Sequence, residues 1–123
     1  MSWDFARYRL PALVYAVALF WASSLSRLPL PTIDLEFQDK ILHFVAYAGF
    51  SILIYRALAL PKPLLRHVNL VAAVLGIVYA LSDEFHQHFV QGRTAELADL
   101  TADILGIVLV QLVLWAWHSR QKR

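Results

Sequence analysis

The stretch ADLTADILGIVLVQLVLWAW, residues 98 to 117, decides what kind of protein this chain forms. It is apolar except for four residues, and about 20 mostly apolar residues in a helix cross the hydrocarbon core of a bilayer. Similar runs lie at about residues 11–30, 41–60 and 64–82. The chain is 59% hydrophobic and only 16% charged. These features predict an all-α membrane protein, a four-transmembrane-helix bundle that forms one domain over residues 1–123.

The first apolar run has a second interpretation as a signal peptide, because MSWDFARYR precedes LVYAVALFWASSL. The run is long for the apolar core of such a peptide, and its removal would leave the other three spans without a partner helix. We therefore expect it to be retained. The chain has no cysteine, which excludes a disulfide framework, a thiolate zinc site and a thiol nucleophile.

The basic residues are distributed unevenly between the loops. Of the eleven Lys and Arg, eight lie in the N-terminus, the second loop and the tail: Arg7, Arg9, Arg56, Lys62, Arg66, Arg120, Lys122 and Arg123. The positive-inside rule then predicts that both termini are cytoplasmic. Most acidic residues fall on the opposite side. We therefore expect a multi-pass protein of the cell membrane whose polar end faces the extracytoplasmic side, with the lipid bilayer rather than a nucleic acid as its partner. The sequence points to no particular oligomeric state.

Polar residues recur at helical spacing where three of the spans meet that outer side. Asp39, His43 and Tyr47 share one face of span two, beside Lys40. The end of span three presents a second stripe, and the start of span four a third; they consist of Tyr79, Asp83 and Gln87, and of Glu96, Asp99 and Asp103. We expect two tiers, in which the two tyrosines and Asp103 lie about 6 Å below the outer charged groups.

Each of these residues also has a structural explanation. Asp39 and Glu96 suit helix N-termini, where negative charge is favourable, and Lys40 suits the membrane interface. Arg93 is either an ordinary loop arginine or the partner of the nearby acids. Gly76 and Gly106 are expected to let spans three and four approach closely. Asp103 is the hardest to explain this way, because a carboxyl inside a membrane helix is costly unless it is paired.

The polar motifs read DK-x2-HF-x2-Y, DE-x2-Q-x-F-x2-GR and D-x3-D-x2-G, from Asp39 to Gly106. In this order they resemble the VanZ-like family, small membrane proteins named for a glycopeptide-resistance protein associated with teicoplanin. The resemblance falls on Asp39, Lys40, His43, Tyr47, Asp83, Glu84, Gln87, Phe89, Gly92, Arg93, Asp99 and Gly106. The last motif usually reads D-x3-N in that family. Asp103 replaces this amide, which favours a proton-relay or cation-binding role.

Three functions agree with these residues. The first is an enzyme acting on an envelope substrate, such as a peptidoglycan precursor, a lipid-linked sugar or a phospholipid head group. Its candidate catalytic residues are His43, Asp83, Glu84 and Asp99, with Glu84 or Asp83 as general base and His43 as acid–base partner. Its candidate substrate-binding residues are Lys40, Tyr47, Tyr79, Gln87, Arg93 and Asp103, and Lys40 and Arg93 would hold a phosphate or carboxylate.

The second function is non-catalytic capture of a glycopeptide or lipid, and the third is a purely structural polar cluster. No cofactor is predicted. His43, Asp83 and Asp99 have the chemistry to bind a divalent metal, but no HExxH-type spacing supports a metal site. Ser82 lies beside Asp83, and we do not expect it to act as a nucleophile.

Overall fold

The computed structural model describes residues 1–26, 31 and 37–123, and all regular structure within these ranges is helical. The four α-helices are α1 (Leu10–Ser24), α2 (Gln38–Ala59), α3 (Val68–Gln87) and α4 (Leu97–Gln121). By length and composition, α2, α3 and α4 are long and apolar enough to cross a membrane. The predicted all-α bundle of four helices is confirmed.

The first helix differs most from its predicted span. It ends at Ser24, and residues 27–30 of the predicted span lie outside the described residues. It is continued at its start by a π-helical turn, Phe5–Arg9. The stretch from Phe5 to Ser24 is about 30 Å long at 1.5 Å per residue, which equals the hydrocarbon thickness of a bilayer.

The other helices extend past their predicted spans at one end or both, but α3 begins four residues later than predicted, at Val68. The third runs on to Gln87 and the fourth to Gln121. Apolar composition predicts only the part of a helix that lies in the hydrocarbon core of the membrane. The helix itself continues into the interface, because it satisfies its backbone groups internally.

The second and third helices are central to the bundle. Each contacts all three other helices, whereas α1 packs on α2 and α3 but not on α4 within the described residues. The core contains few large side chains, and its buried members are Tyr47, Phe50, Ile54, Ala72, Ala80 and Ile107. Many large apolar residues point outward instead, among them Val45 and Leu109, each more than half exposed. Such a surface suits lipid rather than water.

The two glycines serve different helix contacts, which corrects the expectation that both let spans three and four approach closely. A side chain added at Gly76 would meet the Ile107 side chain of α4. One added at Gly106 would meet the backbone of α2 at Phe44 and Ala48. Gly106 therefore permits a close approach of α4 to α2, and this approach brings the polar side chains of the two helices within bonding distance.

The orientation of the bundle stays a prediction, and α4 provides its test. Thr94 precedes this helix and Gln121 ends it, so they lie at opposite ends of the bundle. Because the chain has no cysteine, Thr94→Cys and Gln121→Cys each introduce one labelling site. In intact cells we expect a membrane-impermeant maleimide to label Thr94→Cys at once, and Gln121→Cys only after permeabilisation. The reverse pattern would place both termini outside.

Candidate functional site

A cluster of four charged residues lies where α2 and α4 begin. The Lys40 ammonium is 2.6 Å from Asp39, 2.8 Å from Glu96 and 2.5 Å from Asp99. We call these four residues the Lys40 cluster. The three carboxylates stand close enough together to hold a metal ion, but the Lys40 ammonium already lies among them. Its positive charge is therefore compensated within the protein, which leaves it poorly suited to hold a substrate phosphate.

One turn further along α2, His43 pairs with Asp103 of α4. Their Nδ1 and Oδ1 atoms are 2.9 Å apart, and Asp103 is only 1% exposed. An ionised carboxylate can only accept hydrogen bonds, so we assign the donated proton of this pair to Nδ1 of His43. The other ring nitrogen, Nε2, lies 3.7 Å from Asp99. The pair explains how a carboxyl inside a membrane helix is tolerated, since His43 donates a hydrogen bond to it.

A further turn along α2, Tyr47 bonds to Asp83 of α3. The Tyr47 hydroxyl donates to Oδ2 of Asp83 at 2.7 Å, and both side chains are buried. The other carboxylate oxygen, Asp83 Oδ1, has no hydrogen-bond partner among the described residues. The same holds for Oε1 of Gln87, one turn further along α3. Two buried acceptors thus lie close together without donors.

A small cavity of about 200 Å³ adjoins these acceptors, between α1, α2 and α3. Its polar lining consists of Ser23, His43, Tyr47, Asp83, Gln87 and Arg93. Its apolar lining consists of Leu19, Ala22, Leu42 and Ala46. Because His43 lines this cavity and also bonds to Asp103, it connects the cavity to the carboxylates of α4.

Arg93 lies at this cavity but forms no ion pair with an acid among the described residues. Its Nε donates to the Leu25 carbonyl at 2.8 Å and its Nη2 to the Ala22 carbonyl at 3.2 Å. Both carbonyls belong to the end of α1, where the helix dipole favours a cation. Gly92 has a positive φ of 81° and lies against Ser26. The turn there directs Arg93 toward α1 and away from α4, so the expected pairing with the acids is wrong.

Two predicted site residues point away from the cavity. Glu84 accepts a hydrogen bond from the backbone N–H of Glu96 at 2.5 Å and so anchors the start of α4. Tyr79 donates to the Ala16 carbonyl of α1 at 2.5 Å. The two-tier prediction also needs correction, because Asp83 was expected in the outer tier but bonds to Tyr47 of the deeper one.

One polar pair at the cavity was not predicted from the sequence. Ser23 Oγ lies 3.2 Å from Nδ1 of His86, and the ring of Phe20 stacks on that histidine. Ser23 is buried, whereas Ser82, the serine considered earlier, is exposed and bonds to the Tyr79 carbonyl. No local pattern links Ser23 to His86, because they lie 63 positions apart and meet only through the packing of α1 on α3.

The fold and this site define a small helical membrane protein with a polar pocket near one end of its bundle. More specifically, the chain belongs to the VanZ/LLP1 family, whose model matches residues 5–118, nearly the whole sequence. It is also similar to an uncharacterised protein of the fission yeast Schizosaccharomyces pombe, at 30% identity over 91 residues. That match covers 74% of this chain and 55% of the relative. The chain thus spans about half the length of that relative, and no solved structure matches it significantly.

The contacts of Arg93 predict a loss of stability when its geometry changes. Lysine keeps the charge but cannot donate to two carbonyls from a planar fork. We expect Arg93→Lys to lower the free energy of unfolding by about 1–2 kcal/mol, as for the loss of a charged hydrogen bond. The measurement is unfolding in detergent, with the exposed Arg120→Lys as the matched control. Equal stability of the two variants would contradict a stabilising role for the hydrogen bonds between Arg93 and the end of α1.

Proposed function

We propose that the small cavity binds the polar head group of an envelope lipid, either a phospholipid or a lipid-linked peptidoglycan precursor. One observation carries the proposal: Asp83 Oδ1 and Gln87 Oε1 are buried acceptors without a donor among the residues that the structure describes, and both residues line the cavity. A buried acceptor without a partner costs about 1–3 kcal/mol. A head group that brings ammonium or hydroxyl hydrogens satisfies both atoms.

The size and the walls of the cavity fit a head group rather than a whole lipid. Its volume of about 200 Å³ is below the range of sites that enclose drug-sized ligands, roughly 300–1,000 Å³. Leu42 lines the cavity and is also 38% exposed on the surface of the bundle. The apolar wall thus continues toward the lipid, where acyl chains would remain. Arg93 uses Nε and Nη2 on α1, which leaves Nη1 for a phosphate.

The proposed cellular setting follows the orientation predicted by the basic residues. The pocket then faces the extracytoplasmic side of the cell membrane and holds its lipid in the outer leaflet. Retention of an envelope lipid there would alter the target of a glycopeptide and contribute to teicoplanin tolerance, as resemblance to the VanZ-like proteins suggests. The yeast relative favours a phospholipid as the ligand, because yeast membranes carry phospholipids and no peptidoglycan.

A second candidate function is acid–base catalysis on the bound head group. The specific observation in its favour is the His43–Asp103 pair beside the cavity. A carboxylate that accepts from Nδ1 orients the ring and leaves Nε2 to accept a proton from a head-group hydroxyl. This assigns the base role to His43 rather than Glu84, whose carboxylate is engaged by the backbone of Glu96. Asp99 near Nε2 would stabilise the charged ring.

Replacement of Asp83 tests head-group binding. Asp83→Asn keeps the side-chain shape and an oxygen that can accept from Tyr47, but removes the negative charge. Native mass spectrometry of the detergent-solubilised protein with phosphatidylethanolamine is the measurement. We expect the affinity to fall about tenfold, since a charged hydrogen bond contributes about 1.5–3 kcal/mol. Asp4→Asn is the matched control, an exposed carboxyl near the N-terminus. If Asp83→Asn bound phosphatidylethanolamine as tightly as the wild type does, the cavity would be excluded as the binding site.

Replacement of His43 separates capture from catalysis. His43→Gln can still donate to Asp103 but cannot act as a base near neutral pH. We expect lipid retention within about twofold of wild type, because the hydrogen bond is kept. Teicoplanin tolerance is then compared in a susceptible bacterium that expresses each variant, with the exposed His88→Gln as control. Lost tolerance with retained binding supports catalysis. Retained tolerance supports capture alone, and loss of both binding and fold would mean that the pair is only structural.

A further inference from the structure

A second and larger cavity lies at the opposite end of the bundle from the Lys40 cluster. It has a volume of about 950 Å³ and is bounded by α2, α3 and α4. There α2 ends at Ala59, α3 begins at Val68 and α4 ends at Gln121. We call this cavity the basic cleft, after the side chains at its mouth.

The mouth of the basic cleft carries positive charge that the protein does not compensate. Its basic lining residues are Arg56, Arg66, His67, His118 and Lys122, and none of the described lining residues is acidic. Arg56 is partly engaged, since it donates to the Arg7 carbonyl and lies over the Tyr8 ring. Arg66 and Lys122 are exposed, and neither side chain has an ion pair within the described ranges. This differs from Lys40, which meets three carboxylates.

The floor of the cleft offers no comparable polar attraction. Asn69 donates to Oε1 of Gln111 at 3.0 Å, and Gln111 donates to Ser51 Oγ at 2.8 Å. These polar groups bind one another, and the walls around them are aliphatic. The walls include Ile52, Leu70, Val108 and Leu112, each of which is exposed in the bundle.

The basic residues thus lie at the mouth of the cleft, and the apolar surface lies deeper within it. Gln111 at the floor and Lys122 at the mouth are about 16 Å apart along α4, at 1.5 Å per residue. A ligand that matches both parts needs an anionic head and a hydrocarbon chain. Inorganic phosphate would match the mouth alone and leave the aliphatic walls uncovered.

We infer that the basic cleft binds an anionic phospholipid, with its phosphate at Arg66 and Lys122 and an acyl chain along the aliphatic walls. The site is independent of the small cavity between α1, α2 and α3. It lies at the end that the Lys and Arg distribution assigns to the cytoplasmic side, where anionic lipids attract basic residues. A lipid there fills the space between α3 and α4 and joins the two helices at their basic ends.

The cleft contains a natural fluorescent probe, Trp115. The variants Trp3→Phe, Trp21→Phe and Trp117→Phe together leave it as the single tryptophan of the four in the chain. This protein is reconstituted in phosphatidylcholine bilayers with a rising fraction of phosphatidylglycerol that carries bromine on its acyl chains. A parallel titration with brominated phosphatidylcholine, which carries no net charge, is the control. We expect half-maximal quenching of Trp115 at a several-fold lower fraction of the anionic lipid.

Two double variants of equal charge loss distinguish the cleft from the membrane surface in general. Arg66→Gln with Lys122→Gln removes two charges from the mouth. Lys62→Gln with Arg120→Gln removes two charges at the same end from residues that do not line the cleft. Because each basic residue near the surface contributes appreciably to anionic-lipid attraction, we expect the first pair to raise the half-quenching fraction several-fold, to that of brominated phosphatidylcholine. The second pair should change it by no more than about twofold.

Three outcomes would overturn the inference. Equal quenching by the two brominated lipids would show that the cleft has no preference for negative charge. Equal effects of the two double variants would assign the preference to surface charge alone. Reversal of the quenching by millimolar inorganic phosphate would identify a free anion as the ligand. All of the replaced basic residues are exposed, and the helical content of each variant is checked by circular dichroism.

Discussion

Donors along one face of α2, each bound to a carboxylate of a neighbouring helix, hold the polar end of this bundle together. Successive turns of that face present an ammonium, an imidazole and a phenol, and each meets a carboxylate of a neighbouring helix. The three pairs are Lys40 with Asp99, His43 with Asp103, and Tyr47 with Asp83. A carboxylate at membrane depth is costly without such a partner. The packing of α3 and α4 on α2 therefore depends on donors that α2 alone supplies, and Gly106 allows the close approach that these pairs require.

These three pairs also determine which polar atoms remain available to bind a ligand. The carboxylates around Lys40 are engaged, and so are Asp103 and one oxygen of Asp83. Within the described part of the chain, Asp83 Oδ1 and Gln87 Oε1 have no partner at the small cavity. At the other end of the bundle, Arg66 and Lys122 have no acidic partner among the described residues that line the basic cleft. The two ends of the molecule therefore suit different ligand groups, donors at one and anions at the other.

The first helix completes the small cavity through bonds of a different kind. Tyr15 donates to the Ala46 carbonyl, Tyr79 to the Ala16 carbonyl, and Arg93 to the carbonyls of Ala22 and Leu25. In each case one partner is a backbone oxygen. This arrangement holds α1 in place without a charged residue in that helix, and it places Ser23 beside His86 at the cavity wall.

The sequence by itself determined the helices and their polar faces. Apolar length predicted the spans, and spacing at i, i+4 and i+8 placed His43 and Tyr47 on one face of α2, because that period follows from helix geometry. The pairing of those faces was decided only by the tertiary structure. Which carboxylate meets which turn of α2 depends on how far the helices are offset along their axes, and local spacing carries no information about that offset. The contacts of Arg93 and Tyr79 were equally inaccessible, since every residue offers a backbone carbonyl and no side-chain pattern marks the one that will accept.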